Sequence, residues 1–202
     1  MTSGVQKNTA DVKQYLFRIH MLEIDPEIWR RFVVPADISL AKFHEALQVV
    51  MGWGNDHAYA FNIKRVDYLG YPDSGFANGQ VGKGASDVKL SDVVKRKGSA
   101  IYYNYDFGDN WWHQLKLENS NYHPASPDEQ RFVCLDGDRA CPPEDVGGTW
   151  GYDSFCKKQE KWRDAKGEIK NPDPDDWYAD YDPLIFSLDE INNRLAEILW
   201  LV

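Results

Sequence analysis

Cysteine is scarce: Cys134, Cys141 and Cys156 are the three in a chain of 202 residues. An odd, low count excludes a disulfide framework as the source of stability and points to a reducing compartment. Long apolar runs are missing as well. No segment approaches the roughly 18 consecutive apolar residues of a membrane span. The N-terminus, MTSGVQKNTA, has no apolar stretch of the kind a secretory signal needs. These absences predict a soluble, cytoplasmic protein with no membrane partner. Positive charge is short in one half only. Residues 1–101 carry 13 Lys and Arg against 11 Asp and Glu, whereas residues 102–202 carry 10 against 21, for a net charge of −9. An acidic surface repels phosphate backbones, so nucleic acid is disfavoured as a partner. The basic run 95–97 is the best remaining patch, and such a short run usually marks a solvated loop or helix end.

Complete catalytic signatures are also lacking. Gly82-Lys83 lies in a Gly-rich stretch, but a phosphate-binding loop needs Gly where Ala77 stands and Ser or Thr where Gly84 stands. Asp106-Phe107-Gly108 spells a kinase metal-binding triplet with no His-Arg-Asp loop ahead of it. No G-x-S-x-G, H-E-x-x-H or Cys-x-x-Cys occurs, and Cys134 and Cys141 are too far apart for a usual zinc half-site.

Aromatic residues are abundant at 14%, with eight Trp and eleven Tyr. Such side chains build cores and also line binding surfaces. Their spacing is informative. After a polar tail over 1–11, Tyr15, Phe17, Ile19 and Met21 alternate as on one face of a strand. Asp25-Pro26 signals a turn, and residues 28–34 read as the returning strand, stopped by Pro35. Ser39 caps a helix in which Leu40, Phe43, Leu47 and Val50 recur at helical spacing and Gly52 ends the run. His44 lies on its apolar side and reads as a core histidine. Residues 58–69 resume strand character, with Tyr59, Phe61 and Ile63 on one side.

Residues 70–86 hold five glycines and read as a loop. One helical turn or two is predicted over 90–94. Strands at 100–106 and 111–118 make a second hairpin around Phe107-Gly108-Asp109-Asn110. Residues 119–150 read as irregular, 151–164 as a helix, and 166–183 as a Pro/Asp-rich connection. The run 171–182, with five Asp and with Trp177, Tyr178 and Tyr181, is either an arm laid across the body or a docking surface for a basic partner. Ser187 and Glu190 form a capping box ahead of a helix whose Leu188, Ile191, Leu195 and Ile198 share a face. The expected fold is therefore α+β: one domain over 12–202, a largely antiparallel sheet with two hairpins packed by helices, with the hairpin–helix–strand order of a β-grasp-like core.

Two segments concentrate chemistry. One is residues 105–113, YDFGDNWWH, with Asp106, Asp109, Trp111, Trp112 and His113; the other is 141–148, CPPEDVGG, with Glu144 and Asp145. Paired Pro stiffens the second segment, and paired Gly opens backbone conformations and close approaches closed to other residues. Carboxylates with imidazole can hold a divalent metal and activate water, or act as a general acid/base pair. They can equally be structural. Asp106 and Asp109 can satisfy turn donors, His113 shares a face with Trp111 and Leu115, and Glu144 and Asp145 can cap the following helix or pair with Arg139. His57, after Trp53-Gly54-Asn55-Asp56 at a strand start, is a further candidate.

Y-D-F-G-D-N-W-x-H at 105–113, G-D-R-A-C-P-P-E-D-V-G-G at 137–148 and G-Y at 151–152 resemble the plasmid pRiA ORF-three-like family. Phe43-His44, Gly52-Trp53, Asp56-His57 and the C-terminal stretch from Asp182-Pro183 to Leu195 agree, so the resemblance covers about residues 14–199. It implies an α+β fold and a cytoplasmic prokaryotic protein, and it implies no established activity. Some members carry resolvase-like labels from their place in mobile elements, which links the family to such elements, but this sequence has no recombinase motif to support those labels. The resemblance implies Cys in many members where this chain has Val146, so a thiolate zinc site built on three family cysteines would lack a ligand here.

Two functional expectations follow. The first is a non-catalytic module that binds a protein or small-molecule ligand where the 105–113 hairpin meets the 141–148 loop. Trp111 or Trp112 would supply stacking area, and Asp109, Glu144 and Asp145 would orient a cationic or hydrogen-bonding group. The second is a metal-dependent hydrolase acting on a phosphoester or a small amide, using Asp106, Asp109, His113, Glu144 and Asp145 with His57 as an outer candidate and Mg²⁺, Mn²⁺ or Zn²⁺ as the ion. No cofactor beyond such a divalent metal is implied. A nucleic-acid role would need salt-sensitive binding.

Overall fold

A computed structural model describes residues 13–71, 82–123, 132–164, 166–170, 178 and 181–198. Its elements in chain order are β1 (Gln14–Met21), β2 (Trp29–Pro35), α1 (Leu40–Met51), β3 (Tyr59–Ile63), β4 (Val66–Leu69), β5 (Lys83–Gly84), α2 (Leu90–Val93), β6 (Ala100–Tyr105), β7 (Trp111–Tyr122), β8 (Val133–Asp138), α3 (Gly148–Trp162) and α4 (Leu188–Ile198). The eight strands form one sheet in the order β5-β4-β3-β6-β7-β1-β2-β8, antiparallel throughout except for the β4–β5 pair. This is the α+β architecture the sequence predicts. The order β1–β2–α1–β3 starts the chain as a hairpin, helix and strand, with β6 and β7 lying between β3 and β1.

Alternation decides the core. Tyr15, Phe17, Ile19 and Met21 all point to the same face and are buried. The register sets Phe17 opposite Phe32 and Leu117, Ile19 opposite Leu115, and Met21 opposite His113. α1 covers this face: the Phe43 ring lies 5.4 Å from Phe17 and 5.7 Å from Phe61. Each such side chain contributes roughly 1.5–3 kcal/mol by leaving water. The opposite face carries Arg18, His20, Arg31, Trp112, Gln114 and Lys116, half-buried or exposed. α1 starts and stops where the sequence says. The Ser39 hydroxyl accepts from Lys42 N at 3.1 Å, and Gly52 takes φ 103° while its N–H donates to the Gln48 carbonyl at 2.8 Å. At α4, Glu190 N donates to the Ser187 hydroxyl at 3.3 Å.

Some elements differ from the expectation. Residues 58–69 are a hairpin, because Lys64 and Arg65 take φ 53° and 66°. Left-handed turns normally announce themselves with Gly or Asn, and neither is present. The stretch 119–150, expected to be irregular, contains the end of β7 and all of β8. β8 pairs with β2 across a register shift between Arg31 and Phe32. Its charged residues fit an edge strand and hide the alternation. α3 begins at Gly148, three residues ahead of the expected start. The tail 1–11, most of the glycine loop and Trp177 lie outside the described residues. Of the Asp-rich run, Tyr178 and Tyr181 pack their rings 5.4 Å and 5.3 Å from Phe155 of α3, and Asp182 pairs with Arg163 at 2.8 Å.

Candidate functional site

Three loops meet beyond the end of β6, and each is fixed by buried polar contacts. The first is the turn 52–58 after α1. From the buried side of α1, Gln48 donates through Nε2 to the Tyr103 hydroxyl at 2.9 Å. That hydroxyl proton is then free for His44 Nδ1, 2.7 Å away. The imidazole therefore carries its proton on Nε2 and donates it to Asn55 Oδ1 at 2.5 Å. Asn55 N returns a bond to Gln48 Oε1 at 3.1 Å. The circuit holds Asn55 at φ 69°. The His44 ring stacks 3.5 Å from Tyr59, and burial pushes its pKa down to about 4. His44 is a core histidine, as its place on the apolar side of the helix predicts.

The second loop is the β6–β7 turn. Asp106 takes φ 54°, donates its N–H to the Ala58 carbonyl at 2.9 Å and receives Gly108 N on Oδ1 at 2.9 Å. Its residue surface is only 6% exposed. Asp109 points elsewhere: Oδ2 accepts from Gly147 N at 3.0 Å. Its carbonyl oxygen occupies the space beside Gly148, where an added Cβ would lie 2.6 Å away. Gly147 and Gly148 sit at φ 94° and 67°, so the glycine pair serves the conformational role that its sequence suggests.

The third loop is 139–148. Arg30, 2% exposed, donates to the carbonyls of Asp138 and Arg139 at 2.7 Å each and to that of Val50 at 3.2 Å. Trp53 Nε1 donates to the Pro142 carbonyl at 2.9 Å, and the Tyr178 hydroxyl donates to the Glu144 carbonyl at 2.8 Å. Asp145 takes φ 55°.

These constraints bring three carboxylates together around His57. Its Nδ1 lies 3.8 Å from Asp106 Oδ1, and its Nε2 lies 3.7 Å from Glu144 Oε2 and 3.4 Å from Asp145 Oδ1. Glu144 Oε1 accepts from Gly54 N at 3.0 Å and from the Tyr105 hydroxyl at 3.1 Å. Burial raises the Glu144 pKa against these bonds and the nearby imidazole, which lower it. The Tyr105 phenol is raised too, chiefly by burial and then by Glu144, so it remains a donor at neutral pH. His57 Nε2 and Glu144 Oε2 are shut off from solvent and have no hydrogen-bond partner.

The structure thus joins Asp106, Glu144, Asp145 and His57, and it separates the other expected residues from them. His113 is fully buried among Trp53 and Tyr103, with Nδ1 donating to the Tyr103 carbonyl at 3.3 Å and its pKa pushed to about 4 by burial. Two-residue strand periodicity puts it and Trp111, 1% exposed, in the core, which leaves neither free to stack on or ligate anything in the cleft. Trp112 is 39% exposed but on the opposite sheet face. Asp109 ties two loops together. Glu144 caps no helix; α3 starts at the Gly147 backbone with no side-chain cap. Two contributors escape sequence reading: Tyr105, hidden by its core-facing position in β6, and Gly54, whose N–H fixes Glu144. The adjacency of Trp53-Gly54-Asn55-Asp56-His57 is the signal that points at them. Cys134 and Cys141 are buried, and burial pushes the Cys134 thiol to about 11 and Cys141 higher. The run 95–97 is exposed.

The sequence over residues 13–190 matches the family described as Plasmid pRiA4b ORF-3-like protein. The chain belongs to this family. It is 35% identical over 184 residues to Uncharacterized protein y4hQ of Sinorhizobium fredii, an alignment covering 90% of each chain. Among solved structures it is similar to the protein of unknown function MM3350 from Methanosarcina mazei Go1, with a TM-score of 0.70 and 28% identity over 91% of this chain and 98% of that one. No helix among the described residues is long and apolar enough to cross a membrane.

Proposed function

We propose that this family member is a non-catalytic binding module whose cleft, formed by the turns at 53–57 and 105–110 and the loop 141–148, receives a cation or a cationic group. One observation carries the reading: His57, Asp106, Glu144 and Asp145 converge from three separately pinned loops. Three carboxylates against one imidazole make the cleft negative, and the surrounding hydrogen bonds hold it ready-made. A preformed acidic cleft favours a positively charged guest without much ordering cost. Candidate nucleophiles do not favour catalysis: the Cys134 and Cys141 thiols are buried and poorly ionised. The mobile-element association rests on the family description, which names a plasmid.

Equilibrium titration with inorganic cations and with small ammonium and guanidinium compounds tests the reading. At least one should bind wild-type protein and weaken about tenfold in Glu144→Gln, a loss of about 1.4 kcal/mol. Uniform failure of every cation to bind at millimolar concentration would overturn it.

A further inference from the structure

We propose that the cleft holds one divalent first-row transition-metal ion, ligated by a ring nitrogen of His57 and by carboxylate oxygens of Asp106 and Asp145. The inference rests on the cation-cleft reading and names its guest. One donor atom from each of the three residues lies within 4.8 Å of the other two. Two donors bound at about 2.1 Å to one ion are about 3.4 Å apart at a tetrahedral angle and about 4.2 Å apart when trans. His57 Nε2 lies 3.4 Å from Asp145 Oδ1, within that range, while Asp106 Oδ1 approaches the ring from its other nitrogen, 3.8 Å from Nδ1. No hydrogen bond joins the ring to either carboxylate, and Nε2 is enclosed without a partner. With the donors spread over up to 4.8 Å, seating one ion on a single ring nitrogen takes a carboxylate shift on the order of 1 Å, which the exposed Asp145 side chain can make.

Charge supports the same assignment. Asp106 is nine-tenths buried, and a buried carboxylate requires a counter-charge. Among the described residues, the ion-pair partner within 4.0 Å of Asp106, Glu144 and Asp145 is His57 alone. Neutral imidazole as a ligand leaves the carboxylates to neutralise the cation. Glu144 stands beside this shell rather than in it. Its Oε1 is committed to Gly54 and Tyr105, and its unpartnered Oε2, 3.7 Å from His57 Nε2, is placed to accept a hydrogen bond from a water on the ion. Mixed nitrogen and oxygen donors suit Zn²⁺ or Mn²⁺ better than Ca²⁺ or Mg²⁺.

The test is metal content by mass spectrometry on untagged full-length protein purified without chelator. It is followed by calorimetric titration of chelator-treated protein with Zn²⁺ and Mn²⁺ alone. About one equivalent should bind, with affinity reduced at least tenfold in His57→Gln and in Asp145→Asn and retained in Asp109→Asn. The Asp145 side chain is 73% exposed, so Asp145→Asn leaves the fold intact and keeps the test decisive if His57→Gln is unstable. No binding of either ion at 1 mM, or binding undiminished by both variants, overturns the proposal. The same chelator-treated protein titrated with methylguanidinium separates the two claims. Organic-cation binding lost in Glu144→Gln, without metal binding, overturns the metal site and keeps the cation cleft; failure of both overturns both.

Discussion

Two histidines serve the same tight turn in opposite ways. His44 reaches it from the buried side of α1 and enters a circuit in which Tyr103, Gln48 and Asn55 satisfy both ring nitrogens. His57 closes the turn and faces three carboxylates, with one nitrogen enclosed and unpartnered. A closed polar circuit has nothing left to offer a ligand; its work is to fix geometry. An open one, an imidazole among carboxylates, keeps unspent hydrogen-bonding and charge capacity because its groups are held mainly by backbone and by Tyr105 rather than by each other. The interior circuit sets the cleft: it fixes Asn55, and Asn55 leads directly into Asp56 and His57.

Acid should separate the two regions most strongly. Burial depresses His44 and His113 to about 4 from an ordinary value near 6.5. The unfolded chain therefore binds more protons than the native state between pH 6.5 and 4. Stability is fully present above pH 6.5 and falls as pH drops through that window, by roughly 3 kcal/mol per histidine. Urea unfolding at pH 7 and pH 4.5 should show this loss, and a His113→Phe variant should lose less of its stability across the same interval.

Next in size is Tyr103→Phe. It leaves His44 Nδ1 and Gln48 Nε2 without their shared partner in a buried site, at about 2–3 kcal/mol, read as a lower denaturation midpoint. Cation binding should weaken along with it, because Asn55 loses its anchor. Gly148→Ala follows at about 2 kcal/mol, since the methyl meets the Asp109 carbonyl and a left-handed backbone is costly with a Cβ. Thermal denaturation checks it, and retention of the wild-type midpoint would break the assignment of Asp109 as a loop tie. The smallest effect is expected from Glu144→Gln in chelator-treated protein. Its hydrogen bonds from Gly54 and Tyr105 are kept by an amide oxygen while a poorly compensated charge is removed. The midpoint should hold or rise slightly, whereas cation affinity falls.

Legibility tracked how local each signal is. The strand at 14–21, the capped helix at 40–51 and the second hairpin were readable because alternation and capping act over a few residues. The β3–β4 turn was not, since Lys64 and Arg65 adopt left-handed conformations without Gly or Asn. β8 was not, since an edge strand buries too little to impose a pattern. In the site, the glycine pair, the two acidic residues of 141–148 and Asp106 could be picked out by type. His113 stayed open between ligand and core, because a histidine two residues from Trp111 and Leu115 reads alike as either until the sheet's covered face is known.

The sequence alone determined which segments alternate, where α1 and α4 begin, the family, and that charge collects in the second half. Only tertiary structure decided which of the six candidate carboxylate and imidazole positions share a cleft. That choice depends on three loops distant in sequence, one held by Gln48 and His44 through Asn55, one by the bonds of Asp106, and one by Arg30, Trp53 and Tyr178, and on which sheet face α1 covers. Periodicity specifies that a side chain points to one side of a strand; packing specifies which side is water.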